Sequence, residues 1–168
     1  PLAQPVDGRE IHLRLLGGRV AYVPLAEAVA RLSQVVAKKV WRLKNSYEVK
    51  DQLEPREGFT MHYTLVRQMG SGGRERPALG GFEMVPESDQ LGEEVAVAVA
   101  AKSELAARLS DYGTRGTTVT VWTYPDSFAY FRELKTYLLD RGFQVAARPL
   151  PSGYPIGGSP HGSRSAAQ

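Results

Sequence analysis

The chain has 168 residues, 42% hydrophobic and 23% charged, the composition of a soluble globular protein with room for one domain and an elaborated end. It has no Cys, which excludes disulfides, thiolate nucleophiles and Cys-ligated metals; no apolar run approaches the ~18 residues of a membrane-spanning helix. A net charge of +3 is too small to imply nucleic acid, and nothing in the composition calls for a cofactor.

Charge is unevenly spread. Residues 1–50 hold nine Lys and Arg against four Asp and Glu, whereas 83–111 hold two against seven. Such asymmetry can orient a partner or an assembly neighbour. Pro1, with no initiating Met and no leader before it, reads as the start of a processed or excised fragment, compatible with a membrane-anchored parent. Cytoplasm and periplasm both fit.

In chain order, Glu10–Leu16 and Arg19–Val23 flank Gly17-Gly18, a pair suited to the positive φ of a tight hairpin. Pairing Leu16 with Arg19 sets Leu15 opposite Val20 and Leu13 opposite Tyr22, with Ile11 on their face and His12 and Arg14 on the other. Pro24 suits a first helical turn. Leu25, Val29, Leu32 and Val36 then predict a helix ending near Lys38-Lys39, cations placed well against its dipole. Trp41 to Leu53 predicts extended structure broken around Asn45-Ser46.

Phe59 to Gln68 alternates as a strand, Gly80 to Glu87 is its partner, and Gly70 to Pro77 between them is a mobile tip. Val95 to Val99 suits a strand or a helix. Ser103 opens a helix that packs through Leu105 and Leu109. Thr117 to Tyr124 is dense in β-branched and aromatic residues and predicts a strand. Pro125-Asp-Ser127 stops it and offers Asp126 or Ser127 as a helix cap. Phe128, Phe131, Leu134 and Leu138 then mark a helix closed by Gly142, and Phe143 to Arg148 a second strand. These elements compose a βαβ unit. Residues 152–168 form a Gly-, Ser- and Pro-rich tail of the kind that is flexible unless something holds it.

Candidate chemistry is sparse. His12 and His62 fall on outward strand faces, and no spacing joins histidines into a metal site. Tyr124, Asp126 and Ser127 lie at the carboxyl end of a strand and the amino end of a helix, where parallel sheets place ligands. His161 and Arg164 in the tail are the groups that could join them in a small-ligand site or a hydrolase-like centre. Helix capping is the competing role for Asp126 and Ser127. Lys38, Lys39, Trp41 and Arg42 combine cations with an aromatic, as nucleic-acid grooves do; a solvated helix end with a half-buried Trp is the structural alternative. No catalytic residue and no metal ligand is assigned.

Val121 to Phe128, with Ala146-Ala-Arg-Pro-Leu-Pro151 and Gly157 to Gln168, resembles the C-terminal signature of an uncharacterised bacterial family with no assigned activity. More faintly, the strand, helix, strand order of 117–148 is similar to the periplasmic domains of the ExbD and TolR proteins. Those are α+β domains that work by dimerising and contacting partners.

The sequence therefore predicts an α+β fold in a single domain spanning 1–168. An N-terminal hairpin plus helix, a middle antiparallel pair and a C-terminal βαβ unit share one mixed sheet, with helices mainly on one face burying Phe128, Phe131, Leu134, Leu138, Leu32 and Val36. The tail and the charge asymmetry point to a non-catalytic protein-interaction or assembly module. Small-ligand or hydrolase-like use of the 124–127 corner with His161 is the alternative, and nucleic-acid binding through 38–44 is a third.

Overall fold

Gly17 and Gly18 take φ of +60° and +67° in the computed structural model, which describes residues 9–158. That left-handed pair lets β1 (Glu10–Leu16) turn straight into β2 (Arg19–Val23). The register pairs Leu13 with Tyr22, Leu15 with Val20 and Leu16 with Arg19, as the alternation predicts. Helix α1 (Leu25–Lys39) follows and runs into a 3-10 turn at Val40–Lys44.

Next come β3 (Glu48–Gln52), β4 (Phe59–Met69) and β5 (Glu75–Pro86), then a two-residue β6 (Glu93–Glu94), α2 (Val95–Ala98) and α3 (Glu104–Ser110). Strand β7 (Thr118–Thr123), a 3-10 turn at Pro125–Ser127, α4 (Phe128–Asp140), β8 (Gln144–Pro149) and β9 (Ile156–Gly158) complete the chain.

The fold is α+β. Its strands form two sheets where the sequence suggested one: a five-stranded sheet ordered β6-β2-β1-β7-β8 and a four-stranded sheet ordered β3-β4-β5-β9. The middle pair β4–β5 recruits β3 on one side and β9 on the other, so neither of its edges is left for the hairpin or the βαβ unit. Contacts gather accordingly into two units, residues 9–23 with 88–154 and residues 24–87 with 155–158.

In the first unit β1 pairs with β7 in parallel and β7 with β8 in parallel, which realises the βαβ unit around α4. Ile11, Leu13, Leu15, Val119 and Val121 supply the sheet's share of a core completed by Leu105, Leu109, Leu134 and Leu138. Ser103 caps α3 by accepting the Ala106 N–H at 2.9 Å. Phe131 packs partly buried against this core. Phe128 departs from the prediction: it shares the stripe by spacing, but as the first residue after the 3-10 turn it is 52% exposed.

In the second unit β3, β4 and β5 pair antiparallel, and Val49, Phe59, Met61, Tyr63, Leu65, Met84 and Ile156 are buried. The buried positions of α1 are Leu25, Ala28 and Leu32. Val29, expected among them, is 45% exposed because the stripe steps by three from Leu25 instead of four, and Val36 is only half-buried. Trp41 to Lys44 is helical, not extended. The tip predicted at 70–77 is shorter, since Glu75, Arg76 and Pro77 already belong to β5. Part of the tail is ordered: Ile156–Gly158 pairs with Phe82–Met84. Gly157 is required there, since a Cβ on it would lie 2.4 Å from the Phe82 carbonyl oxygen.

Candidate functional site

Parallel pairing sets Leu15 beside Thr123, so the hairpin turn after β1 lies next to the chain leaving β7. Asp126 uses the neighbour: its two carboxylate oxygens accept the Gly17 N–H at 3.0 and 3.1 Å. The Ser127 hydroxyl accepts the Gly18 N–H at 2.9 Å and donates to Asp126 Oδ1 at 2.7 Å. Neither side chain caps the helix, so the capping role read from sequence is replaced by a latch on the hairpin. Tyr124 is buried and donates its hydroxyl to the Tyr154 carbonyl; burial holds its pKa above the usual tyrosine value, against a lowering by nearby Arg14. His161 and Arg164 lie outside the described residues.

Ser127 is fully buried. Replacing it with Ala strands the Gly18 N–H and should cost about 1–3 kcal/mol, read as a lower urea midpoint at unchanged m.

His12 is buried, contrary to its predicted exposure. The β1–β7 register places it beside Thr120, with Trp122 next along that face. Trp122 Nε1–H donates to His12 Nδ1 at 3.0 Å, which leaves the ring proton of neutral His12 on Nε2. That nitrogen is 3.6 Å from Glu10 Oε2, while Glu10 Oε1 accepts the Thr120 hydroxyl at 2.6 Å. Alternation in both strands was visible in sequence; their pairing was not. Among the described residues no three of His, Asp and Glu gather to hold a metal ion.

The second candidate region is the end of α1. Lys39 and Arg42 both reach Asp51 Oδ2 on β3, Arg42 at 2.9 Å. The Lys39 hydrogen bond pulls the Asp51 pKa down, and the same bond raises that of Lys39. Two of the four predicted cationic–aromatic residues are thus committed to a carboxylate. Lys38 is exposed, and Trp41 is 66% exposed instead of half-buried.

A depressed carboxylate stabilises the fold above its ordinary pKa of 3.8 and loses that contribution as pH falls through the lower folded value. Lys39 works in the opposite sense: its contribution is present below 10.5 and fades as pH rises past its raised value. With side-chain exposures of 23–42% across Asp51, Lys39 and Arg42, the group adds at most about 1 kcal/mol. The urea midpoints of the wild type and Asp51→Asn should differ by a constant amount between those limits and converge below the carboxylate range.

Beyond this ion group the structure adds residues that the sequence did not single out. On β4 the alternation Phe59, Met61, Tyr63, Leu65 is buried; beyond an irregularity at Thr64/Leu65 it continues as half-buried Arg67 and then exposed Met69, at 64%. The β4–β5 arm thus outruns its apolar cover. Between it and the 3-10 turn lies a concavity of about 480 Å³, lined by Val40, Trp41, Leu43 and Lys44 on one wall and by Arg67, Glu75, Arg76 and Pro77 on the other.

Arg67 ties the walls together: its Nε donates to the Leu43 carbonyl at 2.5 Å and its Nη1 lies 3.6 Å from Glu75. Its guanidinium also covers Tyr47, 5.3 Å from the ring centroid. Only long-range pairing joins Trp41 to Pro77, so no local motif announced this groove. A larger, open depression of about 620 Å³ lies over the four-stranded sheet, with Lys50, Gln52, His62, Thr64 and Glu83 among its lining. Tyr63 and Phe82 contribute apolar surface to it beside these polar side chains.

No family model, curated protein or solved structure matches this chain.

Proposed function

We propose that the protein is a non-catalytic protein-interaction module whose contact surface is the groove between the Val40–Lys44 turn and the β4–β5 arm. The observation carrying this reading is Trp41, 66% exposed on the groove's wall, with two further exposed side chains beside the lining residues: Tyr47, 78% exposed under the Arg67 guanidinium, and Met69, 64% exposed opposite Glu75. Scattered apolar residues on a surface are ordinary, but large ones gathered at a concavity mark a place that a partner covers. Trp, Tyr, Met and Arg are also the side chains that interface centres favour. The Asp126 and Ser127 corner has already spent its polar groups on the hairpin turn, which leaves less for a ligand there.

Peptides selected from a random displayed library against the immobilised protein should depend on Trp41. Trp41→Ser, a change at an exposed side chain that should leave the urea midpoint nearly unmoved, is expected to abolish their retention. Failure to select any peptide, or selection of peptides that Trp41→Ser retains equally well, would sink the reading.

A further inference from the structure

We propose that the groove takes an acidic peptide segment carrying an apolar anchor, a specification that rests on the interaction-module reading above. The floor sets the anchor. Val40, Leu43 and Pro77 line the concavity, Leu43 is buried to 4% exposure beneath it, and Trp41 stands at its side as a broad apolar wall. A volume near 480 Å³ accepts an aliphatic or aromatic side chain with its neighbours, within the span of ordinary small-ligand sites.

The walls set the charge. Lys44 and Arg76 face the groove from opposite sides, both exposed, and neither makes a salt bridge among the described residues. Arg67 is occupied by Leu43 and Glu75. Arg76 lies back along the arm, its Nε 2.7 Å from where a Cβ on Gly70 would sit, so the absence of a side chain at Gly70 gives the guanidinium its place. Two uncommitted cations flanking an apolar floor match carboxylates on either side of an anchor, and complementary charges of this kind select the partner and its register.

Single-stranded nucleic acid is the competing occupant, since a basic groove with an exposed Trp is also its signature. The count of charges goes against it. A phosphate track draws its affinity from many released counterions, whereas this groove offers two uncommitted cations and places Glu75 on the same wall. An apolar floor has no use for a phosphodiester backbone. It does for a leucine or phenylalanine.

The probe is a short fluorescein-labelled peptide in which leucines alternate with glutamates, read by anisotropy and by acrylamide quenching of tryptophan. Trp122 is 4% exposed and Trp41 66%, so loss of quenching reports Trp41. Three controls accompany it: the same peptide with Ser for Leu, the same with Lys for Glu, and an oligothymidylate. The acidic leucine peptide should bind and shield Trp41 while the three controls bind at least about tenfold more weakly. Lys44→Glu with Arg76→Glu should weaken it by a similar factor and strengthen the lysine peptide, an exchange that general damage to the fold would not produce.

Equal binding of acidic and basic peptides, with Trp41 shielded by both, would overturn the acidic partner and leave the interaction surface standing. Tighter binding of oligothymidylate, with a steep salt dependence, would overturn both, as would failure of every peptide to shield Trp41.

Discussion

Gly92→Ala should cost about 3 kcal/mol or more, by combining a forbidden contact with a strained backbone. A Cβ there would lie 1.9 Å from the Val20 carbonyl oxygen, 2.5 Å from its carbon and 2.8 Å from Ala21 Cα, with φ at +84°. All three neighbours are backbone of β2, which is paired on both sides and cannot withdraw. The next residues, Glu93 and Glu94, form β6 against Val20 and Arg19, and Arg19 donates to the Gly92 carbonyl at 2.5 Å. Glu93 also receives the Glu104 and Leu105 N–H groups at 2.8 and 3.1 Å, so displacing Gly92 unseats the start of α3 as well. In a chain of this size the loss corresponds to a melting temperature roughly 6–12 °C lower. Gly72→Ala supplies the comparison: its φ is +87° but nothing lies within 4 Å, so strain alone should cost about 1–2 kcal/mol. Equal effects at the two glycines would mean that the close approach at β2 is wrong.

Gly92 also shows where sequence reading stops. A glycine between Leu91 and Glu93, in a stretch otherwise rich in polar residues, reads as a loop, and nothing local says that β2 passes beneath it. The elements that were legible are those whose causes are local. The Gly17-Gly18 turn fixes its own register. Ser103 carries its own cap. Thr118–Thr123, α4 and Gln144–Pro149 follow from β-branched density, a helical stripe and a glycine at φ +91°.

What stayed hidden depends on pairings between distant segments. The second sheet takes Ile156–Gly158 as an edge strand on β5, a role that the glycines of that segment disguised as flexibility. Asp126 read as a helix cap because capping is local, while its actual partner is 109 residues away in sequence. The same holds for the candidate site. Lys38, Lys39, Trp41 and Arg42 were visible as a cluster, but Asp51 withdraws two of the charges and the arm supplies the groove's other wall.

The second large effect separates residues that periodicity treats alike. Leu134→Ala should cost about 2–5 kcal/mol and Phe128→Ala under about 1 kcal/mol, although Phe128 is the larger and more hydrophobic of the two. Both fall on the stripe that the sequence assigns to the core. Leu134 is completely buried among the β1 and β7 side chains and has the loss of transfer energy and a residual cavity to bear. Phe128, half in water at the first turn of α4, leaves no comparable cavity when removed. Urea midpoints at constant m decide the matter. If the two substitutions cost the same, α4 is rotated about its axis from the orientation described, its first turn lies on the sheet, and the latch that Asp126 and Ser127 make with Gly17 and Gly18 cannot form as drawn.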